Sequence, residues 1–243
     1  MIPKTHPRYR SLITRERLAD YTKKGIVSLE GLTSHGRGEA FDYLLGEETS
    51  ASALEAEKLA AAMILSASYP VISVNGNTAA LAAKEIASLQ QACGAKAEVN
   101  LFHRTDDRIK AITDLLTDAG VILIKGPVDR YIPLEHDRGL CHHDGIYSAD
   151  VILVPLEDGD RAEALVSLGK KVIAIDLNPL SRTARTATLP VIDELTRALP
   201  NITRFCKTLN KNECQDMISK INSPGFIRDA IECIKGKLSD VLD

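Results

Sequence analysis

A chain of 243 residues with 44% hydrophobic and 26% charged residues can bury one sizeable core, and this balance excludes a disordered chain. The formal net charge of -3 gives no general attraction to nucleic acid, although Lys4, Arg8, Arg10, Arg15 and Arg17 make the start locally basic. Cys93, Cys141, Cys206, Cys214 and Cys233 lie far apart with no CxxC pair, which argues against a disulfide framework or zinc site and for dispensable free thiols.

The opening MIPKTHPRYR has no apolar stretch behind its charges, and the apolar run Leu59 to Val74 is broken by serines and Pro70. A cytoplasmic protein with no membrane partner is expected. In "SHGRGEAFDYLLGE" (34–47), Gly36 and Gly38 flank Arg37. That pattern suits close approach to an anion, and equally a helix start capped by Ser34. The segment Ser52–Ser68 opens with the capping box Ser52-x-x-Glu55, runs through helix formers and stops at Pro70. Apolar runs follow: VISV (71–74), EVNLF (98–102), VILI (121–124), DVILVPL (150–156) and KVIAIDL (171–177). Helical patterns separate most of them. The alternation predicts a single α/β domain with a Rossmann-like, mostly parallel sheet covered by helices on both faces. An N-terminal helical segment (1–68) precedes the core (69–200), and a helical tail (201–243) follows it.

Ligands of open α/β sheets bind beyond the carboxyl ends of the strands. Here those ends carry Asn75-Gly76-Asn77, His103-Arg104, Glu157-Asp158-Gly159-Asp160-Arg161 and Asp176-Leu177-Asn178. Turn chemistry and helix caps explain any one cluster, but plain turns do not require arginines as well. No GxGxxG follows the first strand and no GxxxxGK[ST] occurs, so a standard dinucleotide or P-loop site is not signalled. The connection 125–148 is long for a compact domain, which favours a lid or a subunit contact. Its His136, His142 and His143 lack the carboxylate spacing of a metal site.

The blocks "HPRYRSLITRERL", "GLTSHGRGEAFDYLLGE", "YPVISVNGNTAAL", "VNLFHRTDDR", "ADVILVPLEDGDRAEALVSLGK" and "VIAIDLNPLSRTA", in this order, resemble the archaeal phosphopantothenate synthetases. The resemblance spans about His6 to Leu199. It implies ligation of 4-phosphopantoate and β-alanine with ATP through an acyl-adenylate, with release of AMP and pyrophosphate, in coenzyme A biosynthesis, and it suggests a homodimer. By similarity, ATP would be held by Arg15, Arg37, Asp176, Leu177, Asn178, Arg182, Thr183, Glu194 and Leu195. Glu194 departs from the asparagine expected of the family there.

For the other substrate, the residue types offer Arg104, Arg138 or Arg161 as phosphate clamps, His103 and His136 as donors, and Asn75 and Asn77 as orienting amides. Arg104, His136 and Arg161 are the candidates for the catalytic role. Mg²⁺ accompanying ATP would use Glu157, Asp158 or Asp160. Two other readings compete: a non-catalytic nucleotide- or phosphometabolite-binding regulator on the same fold, and a nucleic-acid-binding N-terminal arm, which the net charge disfavours.

Overall fold

In the computed structural model, which describes residues 2–240, the chain enters through three helices, α1 (Tyr9–Lys23), α2 (Leu29–Leu45) and α3 (Ala51–Ser66). Ser28 caps α2 by accepting from the Gly31 N–H, so Ser34 lies inside the helix rather than at its start. The expected capping box on α3 is also displaced. Ser50, with extended backbone angles, accepts from the Ala53 N–H at 3.0 Å, while Ser52 is already helical and donates its hydroxyl to Asp229.

The core then alternates β1 (Pro70–Val74), α4 (Gly76–Cys93), β2 (Lys96–Val99), α5 (Asp106–Asp118), the hairpin β3 (Val128–Arg130) and β4 (Leu140–His142), β5 (Val151–Pro155), α6 (Gly159–Ser167), β6 (Lys171–Ile175), α7 (Arg182–Thr186) and β7 (Leu189–Val191). Helices α8 (Leu195–Thr208), α9 (Lys211–Ser219) and α10 (Ser223–Asp240) complete it. Five strands form a parallel sheet in the order β2-β1-β5-β6-β7.

Successive residues of the central strands serve opposite faces, as the strand period of two requires. Leu153, Ile173 and Ile175 pack into the layer with Ala56, Ala60, Ala79, Leu89, Ala198 and Ile202 of α3, α4 and α8. Ile152, Val154, Val172 and Ala174 pack on the other side against Ile132, Cys141, Ile146 and Leu165. Burial on both faces explains why these strands read as unbroken apolar runs.

Three sequence expectations change. Residues 121–124 do not form a full strand: they touch the sheet through one bridge, Ala97 to Leu123. The Gln90 side chain takes both the N–H and the carbonyl of the exposed Ile122, removing the backbone groups a ladder needs. The run 98–102 leaves the sheet after Val99, with Phe102 exposed. The 125–148 connection is a packed layer rather than a lid. It holds β3 and β4, buries Ile132, Cys141 and Ile146, and is pinned by Glu98, whose buried carboxylate accepts from the N–H groups of His142 (2.9 Å) and Ile146 (2.8 Å). Among the described residues, no helix is long and apolar enough to cross a membrane.

Candidate active site

All five strands of the sheet point their carboxyl ends at one cavity of about 690 Å³, roofed by α2. Strand order therefore becomes an order of side chains along the rim. From the β2 edge inward come His103 and Arg108, then Asn75 to Asn77, then Glu157 to Gly159 beside Arg138, then Asp176 to Asn178 with Arg182 and Thr183, and finally Glu194 and Leu195 after β7. Arg37 reaches in from α2.

At the β6–β7 end the site offers acceptors. Asp176 accepts from the Asn178 N–H and the Ser181 hydroxyl, and burial pushes its carboxyl up despite those bonds. Glu194 caps α8 by accepting from the Thr196 N–H at 2.7 Å, and burial raises it too. Thr183 donates its hydroxyl to the Glu157 carbonyl at 2.8 Å, tying α7 to the end of β5. Arg182 is half-exposed and held only loosely, 3.5 Å from Glu163 and 4.0 Å from Asp160. It lies over Gly159, where a Cβ would come within 2.6 Å of its Nε, so the glycine makes room for the guanidinium at the start of α6.

The middle of the rim is rigid. Asn75 donates to the Leu156 carbonyl (2.9 Å) and accepts from the Thr78 N–H, so its amide staples β1 to the end of β5. Asn77 donates to the Gly31 carbonyl at 2.8 Å and fixes α4 to α2. Glu157 is clamped from two sides, by Arg138 at 3.1 Å and by Arg161 one helical turn on; Arg138 also holds Asp158 at 3.0 Å.

Five sequence candidates do not line the cavity: Arg15, Arg104, His136, Asp160 and Arg161. Arg161 is the clearest difference, because its side chain is fully buried beneath Glu157, on the face of α6 that also buries Ala162 and Leu165. Arg15 lies half-exposed on α1, bound to Glu39 at 2.7 Å. His136 pairs with Asp160 at 2.8 Å and stacks on Phe102; burial alone would raise the Asp160 carboxyl, but the His136 bond, the Arg161 N–H and the nearby positive charge together hold it low. Arg104 gives its backbone N–H to Asp137. Conversely, the cavity includes His35, held neutral by burial, and Arg108, neither of which the motifs singled out.

Among the described residues, no group of three His, Cys, Asp or Glu could hold a metal ion. Glu157 is buried between two arginines and Asp160 lies outside the cavity, which leaves Asp158, half-exposed and bound to Arg138 through one oxygen, as the carboxylate of the three that can face a metal ion. Such a set fits Mg²⁺ held chiefly by phosphate oxygens, not a protein cage.

Comparison with known proteins identifies the family. A family model described as phosphopantothenate/pantothenate synthetase matches residues 52–237. The chain is 70% identical, over its whole length and the whole of the relative, to a 4-phosphopantoate--beta-alanine ligase of Methanospirillum hungatei. It is 52% identical to the enzyme so named from Methanosarcina mazei, over 96% of this chain and 92% of that one. Against the Thermococcus onnurineus enzyme of the same name, identity is 46% over 100% of this chain and 95% of the relative. The chain belongs to the phosphopantothenate/pantothenate synthetase family and is an enzyme of the ligase class.

Proposed function

We propose that this ligase joins 4-phosphopantoate to β-alanine at the expense of ATP, giving 4'-phosphopantothenate, AMP and pyrophosphate in coenzyme A biosynthesis. The observation that carries the reading is the arrangement of the rim: the acceptors Asp176 and Glu194 stand at the β6–β7 end beside Arg37 and Arg182, and Arg138 at β5 and Arg108 at β2 continue the line of cations across the strand ends. Adenine and ribose present donors, which suit Asp176, Asn178 and Glu194. Phosphates require Arg182 and the open start of α6, where helix N–H groups favour an anion. Leu177 and Leu195 supply apolar surface, and Arg37 approaches from α2. Arg15 holds Glu39 through Nε, so a nucleotide would meet its Nη groups.

The chemistry proceeds in two displacements. A carboxylate oxygen of 4-phosphopantoate attacks the α-phosphorus, and the bond to pyrophosphate breaks. The β-alanine nitrogen, once deprotonated, then attacks the acyl carbon and AMP departs with the bonding pair. The chain's residues position these partners and spread the negative charge, the means by which enzymes lower such barriers. Mg²⁺ arriving with ATP would neutralise phosphate charge, with Asp158 in place to reach it. His35, neutral and in the cavity, is available to accept the amine proton. A homodimer and a cytoplasmic location belong to the same reading.

The test is purified protein with ATP, Mg²⁺, 4-phosphopantoate and β-alanine, following AMP and pyrophosphate. AMP formation requiring both organic substrates is expected, with ¹⁸O passing from the labelled carboxylate into AMP. Formation of ADP, or AMP without label, would overturn the acyl-adenylate route. ATP binding without turnover would favour a nucleotide-binding regulator.

A further inference from the structure

Arg108 is the one arginine of the cavity that engages two backbone carbonyls and no carboxylate. Its Nε donates to the Ile26 carbonyl at 3.2 Å and an Nη donates to the His103 carbonyl at 2.9 Å. The remaining Nη lies against Gly76, 2.9 Å from where a Cβ would stand; the same Cβ would meet the Ile26 carbonyl at 2.3 Å. Gly76 is thus a position where only a missing side chain lets the guanidinium reach the first turn of α4. In that turn the Asn75 side chain takes the Thr78 N–H, and those of Gly76 and Asn77 are given no acceptor among the described residues. Burial and the like charge of Arg138 make Arg108 costly to keep charged, and the carboxylate facing it, Glu30, is exposed at the lip. Of the other arginines around the site, Arg138 is neutralised by Glu157 and Asp158, Arg161 by Glu157 and Arg15 by Glu39, while Arg37, beside Asp176, and the loosely held Arg182 stand at the β6 end.

A half-buried cation without a counterion, beside two open N–H groups and an imidazole, suits an anion with several acceptor oxygens. Position along the rim says which anion. With a nucleotide over β6 and β7, its α-phosphate falls toward β5, and strands spaced by about 4.8 Å leave β1 and β2 for the far end of the acid. We propose that Arg108, with His103 and the first turn of α4, binds the phosphate of the phosphorylated acid and so makes the enzyme select it over the unphosphorylated acid. The assignment rests on the ligase reading and replaces Arg104, Arg138 and Arg161 in that role.

The experiment compares wild type with Arg108→Gln, whose amide keeps a donor for the His103 carbonyl, and Arg108→Lys, which keeps the charge but loses the planar fork. Each is assayed with 4-phosphopantoate and with pantoate, and thermal unfolding checks the fold. For Arg108→Gln, KM for 4-phosphopantoate should rise about 30-fold, the scale of one lost charge-assisted contact, with KM for ATP within about twofold. The preference for 4-phosphopantoate over pantoate in kcat/KM should collapse by a similar factor, and Arg108→Lys should fall between. A merely structural role would lower both acids equally. An unchanged preference, or a rise confined to ATP, would overturn the proposal. Should wild type form no AMP at all, the ligase reading fails on its own. Calorimetric titration with 4-phosphopantoate then decides the assignment: weaker binding by the variants upholds it, and equal or no binding overturns it. If Arg108→Gln does not fold, the Arg108→Lys preference alone decides.

Discussion

Beneath the end of β5, one buried carboxylate, Glu157, sits between two buried guanidiniums, Arg138 and Arg161. Behind the end of β7 the proportion is reversed: Arg197 holds Asp42 and Asp193 together, and the fully buried Glu57 lies beside Asp193 with neither carboxylate oxygen bonded. The two clusters brace neighbouring parts of the same rim, but they can answer stress differently. A guanidinium cannot shed its proton at ordinary pH, whereas a crowded carboxylate can take one up. The cation-rich cluster therefore depends on its carboxylates, Glu157 for both guanidiniums and Asp158 for Arg138, while the acid-rich one has a second way to relieve repulsion.

Removing the shared ion in each cluster tests that difference, and Glu157→Gln should have the largest effect of the predictions made here. It strands the buried Arg161 and leaves Arg138 with Asp158 alone, and breaking a buried ion pair from one side costs about 3–5 kcal/mol. The loss, read as a shift in denaturant midpoint, should be nearly constant from pH 5 to 8 because neither arginine can discharge. Arg197→Gln should cost less, about 2–3 kcal/mol at neutral pH. Any pH dependence of the loss should appear in this variant alone, because carboxyl groups can take up a proton and guanidiniums cannot shed one. Equal pH dependence in the two variants would contradict the comparison.

Glu57 sharpens it further. Burial first, then the adjacent Asp193, push its carboxyl up to about 9 from an ordinary 4.5. A group that binds its proton more tightly when folded contributes its full stability below pH 4.5, and that contribution is lost as pH rises toward 9. Wild type should accordingly lose stability as pH rises through the neutral range. Glu57→Gln, which mimics the protonated form, should flatten that slope and gain about 1–2 kcal/mol at pH 7. Thermal unfolding of both proteins at pH 5, 7 and 8.5 reads the crossing; a variant destabilised at every pH would show that Glu57 is charged in the fold.

The two clusters also mark where sequence reading stopped. Doubly buried strands were legible in β1, β5 and β6 because β-branched runs of that kind have few other solutions, and the polar groups at their ends were expected on one rim. The direction of a charged side chain was harder. Arg161 stands in a polar string, Glu157 to Arg161, that suggests a ligand-facing loop, but α6 begins at Gly159 and turns it inward with Ala162 and Leu165. Arg108 had a usable signal: it lies four residues before Ile112 and eight before Leu116, both buried, so a helical stripe carries it to the inner rim. Glu57 gave none. A glutamate among alanines in α3 reads as a solvent-facing helix position until α8 is packed over it.

The smallest effect concerns the helix that carries Glu57 into the acid-rich cluster. Two serines compete for its start, and the pattern Ser52-x-x-Glu55 favours the wrong one. The structure gives the cap to Ser50, whose hydroxyl accepts from the Ala53 N–H; Ser52 only donates to Asp229 at the surface. Replacing a capping serine by alanine costs about 1 kcal/mol, while an exposed bond between side chains contributes a few tenths. Ser50→Ala should therefore lower the unfolding midpoint visibly and Ser52→Ala hardly at all. Because the cap sits two turns from Glu57, its loss should leave the pH slope of stability unchanged, which separates holding the helix from charging the cluster. If Ser52→Ala were the costlier change, α3 would begin two residues later than described, and the register that sets Glu57 beside Asp193 would need a different anchor.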